Sequence, residues 1–129
     1  MAPRRESRER ALGLCYELEA RDINVDGLFN DLPVEPDEYA IALVRGVEQN
    51  SDELDGLLRK YSEHWALERM PAVDRAVLRL GCYELAHEPT VPTAVVISEA
   101  VDLAKQYSTK DSGRFVNGLL ARIAEELRP

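Results

Sequence analysis

The sequence predicts an all-α protein, a single compact domain of about five to seven helices joined by short connections. Three observations carry this expectation. Apolar residues recur at i, i+3, i+4 and i+7, the stripe that one face of a 3.6-residue helix buries. Prolines at 33, 36, 71, 89 and 92 fall between these stripes and punctuate them. No segment alternates apolar and polar residues as a half-buried strand does. The nearest candidate, Val95-Val96-Ile97, continues in helical phase with Ala100, Val101 and Ala104.

Taken in order, the first helix carries Ala11, Leu14, Cys15 and Leu18 on its apolar face. Val25 to Leu32 reads as a short helix that Pro33 and Pro36 interrupt. Pro36 suits the first turn of the next helix, where Asp37 and Glu38 complement the positive end of the dipole. Ala40, Leu43, Val44 and Val47 form its buried face. Ser51 is the expected N-cap of a fourth helix, with Asp52 and Glu53 behind it and Leu54, Leu57, Leu58 and Tyr61 inside. A short segment around Trp65 and Leu67 leads to Pro71, which opens a helix carrying Val73, Ala76, Val77, Leu80 and Leu85 and ending near Pro89. Pro92 opens the helix of Ile97, Ala100, Val101 and Ala104. The last helix begins near Asp111 and buries Val116, Leu119, Leu120, Ile123 and Leu127.

One domain is expected over residues 1–129, with a short basic arm at 1–10 where Arg4, Arg5, Arg8 and Arg10 crowd together. The stretch from Glu17 to Glu38 is heavily acidic, and the whole chain carries a formal charge of −8. That balance disfavours unaided, non-specific nucleic-acid binding, which draws on phosphate neutralisation. A local basic patch on an acidic protein remains compatible with it. No apolar run is long enough to span a bilayer and no secretory signal opens the chain, so a cytoplasmic protein is expected. Cys15 and Cys82 lie far apart in apolar stripes and read as buried reduced thiols.

Little points to catalysis. The two histidines, His64 and His87, have no metal-ligand spacing, and His87 suits a helix C-terminus. Gly113 and Gly118 match neither a phosphate loop nor a dinucleotide fingerprint. Glu68 and Asp74 could suggest paired acids, but no nucleophile–base pair accompanies them. No catalytic residue, metal site or cofactor is expected.

Two blocks are more specific than periodicity explains. The first runs from Trp65 through Met70-Pro71-Ala72-Val73-Asp74-Arg75-Ala76-Val77-Leu78-Arg79-Leu80 to Tyr83-Glu84-Leu85. The second takes in Val91-Pro92, Ile97 to Lys105, and Ser112-Gly113-Arg114-Phe115-Val116-Asn117-Gly118-Leu119-Leu120. In order and spacing they resemble the signature blocks of the NusB family of transcription antitermination factors. The arginine-rich opening before Ala11 to Tyr16 is similar to that family's first helix, so the resemblance covers nearly the whole chain. Ser98, where the family commonly has asparagine, and the dilution of the arm by Glu6 and Glu9 are departures.

The resemblance implies two small helical bundles and no cofactor. It implies joint recognition of single-stranded boxA-type RNA with the ribosomal protein NusE, within an RNA polymerase antitermination complex that reads through terminators in ribosomal RNA operons. It maps an RNA surface onto Arg4, Arg5 and Arg8 and onto Tyr107, Lys110, Asp111, Arg114, Phe115 and Asn117. Arginines there would neutralise phosphate or stack on bases, and the last helix would offer unpaired N–H groups, with Lys105 adding charge. Tyr107 and Phe115 would give aromatic faces to unstacked bases, although Phe115 also reads as core beside Val116 and Leu119. Asp111 cannot attract phosphate and reads as the N-cap of the last helix; it could also shape the loop or accept a hydrogen bond from a base. The partner surface maps to Tyr16, Glu68, Asp74 and Arg75, with acids suited to a basic ribosomal protein; Asp74 reads equally as a helix-start carboxylate. Two alternatives stay open: a protein-only helical interaction module, and a stand-alone relative of the RNA-binding domain of ribosomal-RNA methyltransferases. Monomer and homodimer are both compatible with the sequence.

Overall fold

The computed structural model describes residues 4–63 and 65–129. Met1 to Pro3, the tip of the expected arm, and His64 lie outside the described residues. Seven α-helices occur among those described: α1 (Arg4–Arg21), α2 (Val25–Asp31), α3 (Glu38–Gln49), α4 (Ser51–Tyr61), α5 (Ala72–His87), α6 (Thr93–Tyr107) and α7 (Lys110–Leu127). A single 3₁₀ turn, Leu67–Arg69, joins α4 to α5.

The helices form two groups. α1, α2 and α3 pack on one another, while α4, α5, α6 and α7 make the second bundle. α5 lies between them, touching α1 and α3 on one side and α4, α6 and α7 on the other. Its sequence permits this because apolar side chains cover most of its circumference: Ala76, Val77, Leu78, Leu80, Cys82 and Leu85 are all buried. Where α3 crosses α5, Gly46 lets the Tyr83 ring approach so closely that a Cβ would stand 2.2 Å from it. At the far end, the Arg128 guanidinium donates to the carbonyls of Glu84, Leu85, Glu88 and Val91, closing the C-terminus of α5.

The expected stripes are inside, with shifts in phase. On α6 the fully buried positions are Val96, Ala100, Leu103 and Ala104, while Ile97 and Val101 are half-buried. Helix starts differ more. Asp37 caps α3, accepting from the Ala40 amide at 3.1 Å and the Ser7 hydroxyl at 2.6 Å, so Pro36 precedes the cap and is outside the first turn. Asn50 occupies the cap position of α4 and closes α3 through Gly46, which makes Ser51 the first helical residue instead of the cap. Thr109 caps α7 by accepting from the Ser112 amide at 3.1 Å, and Asp111 stands in the first turn. For α3 and α7 the cap is the residue whose side-chain oxygen reaches the third amide, whereas Asn50 makes no such bond to α4 and its side chain is turned to the Gly46 carbonyl of α3.

Candidate nucleic-acid and partner interface

The basic arm is helical from Arg4 onward and lies against α3, α5 and α6. Three of its four arginines, Arg4, Arg5 and Arg8, meet different fates. The Arg4 guanidinium is exposed and stacks 4.4 Å from the centre of the Tyr39 ring. Arg5, 55% exposed, donates through Nη2 to Glu99 at 2.5 Å and to Asp102 at 2.8 Å, both on α6. Arg8, expected on the RNA surface, is only 5% exposed. Its Nε and Nη2 each donate to the Glu84 carboxylate at 2.8 Å, and the Tyr39 hydroxyl donates to the same carboxylate at 2.6 Å. Burial, then the Glu84 bond, pushes the Tyr39 hydroxyl far above its ordinary pKa. Arg8 is committed to the interior.

The second half of the candidate RNA surface sits at the junction of α6 and α7. Tyr107 closes α6, 47% exposed, and its hydroxyl donates to Glu9 of the arm at 2.6 Å. That bond ties the arm to the end of α6, three residues before Lys110 begins α7. Lys110, Asp111, Arg114 and Asn117 are exposed, and their spacing of three and four puts them on one face of α7. Lys105 lies across Gly113, whose Cβ would meet the lysine stem at 2.8 Å. Phe115 is half-buried and tilted against Trp65, ring centres 6.1 Å apart, so it is neither wholly core nor a free platform.

The expected partner residues separate. Tyr16 is 46% exposed on α1. Glu68 is exposed on the 3₁₀ turn and pairs with Arg59 at 2.7 Å, a bond that holds its carboxyl below the ordinary range. Arg75 is mostly covered: it donates to the carbonyls of Leu67 and Met70 and pairs with Glu19 of α1. Asp74 is 4% exposed, with one oxygen accepting from the Ser112 hydroxyl at 2.9 Å and the other without a hydrogen-bond partner among the described residues. Asp74 lines a cavity of about 290 Å³ with Asp111, Ser112, Phe115 and Trp65. Residues expected on two separate surfaces therefore share one concavity. The sequence reading missed Trp65 as part of this site, although it is the only tryptophan and 50% exposed. It also missed Glu99 and Asp102, whose partner lies more than ninety residues away.

Both thiols are buried, and desolvation pushes Cys15 and Cys82 up to about 12. Among the described residues no three His, Cys, Asp or Glu side chains gather as a metal-ligand set, and no helix is long and apolar enough to cross a membrane.

Residues 5–125 match the NusB family. The chain belongs to that family. It is 45% identical to the transcription antitermination protein NusB of Kineococcus radiotolerans, over 97% of this chain and 95% of that protein. It is 48% identical to the protein of the same name from Saccharopolyspora erythraea, over 96% and 88%. Among solved structures, T. maritima NusB superposes with a TM-score of 0.89 at 39% identity, covering 99% of this chain and 94% of that one. A crystal structure of antitermination factors NusB and NusE in complex with double-stranded RNA gives 0.83 at 31% identity, covering 95% and 96%. The two-bundle fold described above is thus the family's own.

Proposed function

We propose that this chain is a transcription antitermination factor that binds boxA-type RNA jointly with ribosomal protein NusE, within an RNA polymerase antitermination complex acting on ribosomal RNA operons. The carrying observation is the likeness, over 95% of the chain, to a NusB solved together with NusE and RNA. It acts as one RNA-binding domain over residues 1–129, by binding and without a catalytic step of its own, in the cytoplasm where transcripts emerge. Arg4, Arg5, Lys110 and Arg114 supply positive charge to phosphate, and Tyr107 and Phe115 supply faces to bases. Asn117 offers an amide, and Asp111 at the α7 start shapes the surface without attracting phosphate. Arg8 serves from below, fixing the start of α1 to Glu84 of α5. Tyr16 and Glu68 face the partner, while Arg75 holds the segment between the 3₁₀ turn and α5 in place and Asp74 ties α5 to α7 through Ser112.

A protein with a formal charge of −8 needs help to hold a polyanion. A basic partner supplies that help and is drawn to the acidic surface. The test is fluorescence anisotropy of labelled boxA-type RNA, single-stranded and duplex, titrated with the protein alone and with NusE. Tighter binding with the partner, and poor competition by scrambled RNA, is expected. RNA that stays free in both titrations overturns the proposal. The protein-only interaction module is the second reading, favoured by the engagement of Arg5 and Arg8 with carboxylates of this chain. In that case NusE binds and RNA does not.

A further inference from the structure

The arm and the end of α6 are closed on each other. Glu99 and Asp102 stand three residues apart on α6, one turn, so both carboxylates reach the single guanidinium of Arg5. Glu9, four residues after Arg5 on α1, accepts a hydrogen bond from the Tyr107 hydroxyl, so here the acid is on the arm and the donor on α6. Two of the groups assigned to RNA are therefore each occupied by an acidic side chain of the same protein. A carboxylate engages a guanidinium through the same charge-assisted N–H···O bonds that a phosphate oxygen uses. Arg5 Nη2 cannot give its two hydrogens to both at once.

We propose that Glu99 and Asp102 act as built-in substitutes for RNA phosphate, holding Arg5 Nη2 on α6 so that these donors reach RNA only by exchange. The inference rests on the RNA-binding function proposed above and adds its restraint. Arg5 is half-exposed, and exposed pairs of this kind are weak and screened by salt, so the contact taxes binding without blocking it. An arm held this way binds loose polyanions less readily. An RNA that also engages the exposed face of α7 recovers the difference, because its other contacts hold the phosphate beside Arg5 while the exchange occurs.

The alternative is purely structural: cations at a helix start oppose the dipole, and acids nearby relieve that. The two are separated by Asp102→Asn, since among the described residues Asp102 pairs with Arg5 alone whereas Glu99 also reaches Arg8 at 3.4 Å. If Asp102 is a phosphate substitute, D102N binds labelled boxA-type RNA with NusE about two- to five-fold more tightly. The salt dependence steepens by up to ~0.7 in log–log slope, one more phosphate contact made at the expense of counterions. In an Arg5→Ala background the same substitution changes nothing, which makes the pair a double-mutant cycle. Glu6→Gln removes an equal charge from the exposed side of the arm, where it pairs with no arginine among the described residues, and serves as the control for the general field. Unchanged or weaker binding by D102N overturns the inference, as does a gain that persists without Arg5 or that E6Q reproduces. If the wild type binds no RNA with NusE, the proposed function falls and this inference with it; if it binds RNA but shows no coupling, only the inference falls.

Discussion

Arg8→Met separates an arginine that holds the fold from one that holds RNA. The side chain is 5% exposed and gives two bonds of 2.8 Å to a Glu84 that is itself 2% exposed. Removing it leaves a buried carboxylate with the Tyr39 hydroxyl as its remaining close partner in that network. Orphaning one member of such a pair costs about 3–5 kcal/mol, against a total stability of about 5–15 kcal/mol for a domain. With an unfolding entropy of about 2.1 cal/mol/K per residue and 129 residues, the expected fall in Tm is about 11–18 °C. Far-ultraviolet circular dichroism of the helices follows it on heating. Arg8→Met with Glu84→Gln removes the stranded charge while keeping an acceptor for Tyr39, and recovers much of the loss. The reasoning is refuted if R8M melts like the wild type while its RNA affinity collapses; Arg8 would then be a phosphate ligand.

Three further outcomes follow from the same geometry. Arg114→Ala, on the exposed face of α7, leaves Tm within about 1 °C to 3 °C of wild type and weakens RNA binding with NusE, flattening the log–log salt slope by ~0.7; an unaltered slope removes Arg114 from the site. The Glu19 carboxyl is held below its ordinary range by the Arg75 hydrogen bond first, with Arg79 adding to it against desolvation. A depressed folded pKa gives stability that is present above the ordinary glutamate value and lost as pH falls through the folded one, so Glu19→Gln flattens the acid limb of a stability–pH profile while mattering least to its slope near neutrality. Cys15 and Cys82, pushed up to about 12 by burial, react with a thiol reagent at pH 8 (~8, near the ordinary thiol value) only at the rate of unfolding; fast labelling of the native protein contradicts their burial.

Much of the fold was legible in the sequence because helix periodicity is a local property. The stripes of α3, α4, α5 and α7 name residues that are inside, and the two thiols sit where their apolar neighbours place them. Caps were legible only to within a residue or two: Asp37 beside Pro36 and Thr109 near Asp111 reach the third amide, and Asn50 takes the cap position before Ser51 because it closes α3. On the candidate site, Arg5 and Arg8 look alike as members of one arm. Phase alone hinted at their difference: Arg8 precedes Ala11 by three and Cys15 by seven, on the buried stripe.

What the sequence by itself determined is the set of helices, their apolar faces and the family blocks at α5, α6 and α7. What only the tertiary structure decided is which charges are spent inside the protein. Arg8 can be buried because Glu84, 76 residues away, meets it, and Asp74 because Ser112, 38 residues away, gives it a proton to accept. Arg5 is restrained because two acids of α6 fall beside it. A charge is tolerated or freed according to its partner across the helix interface, and short-range periodicity carries no information about that partner.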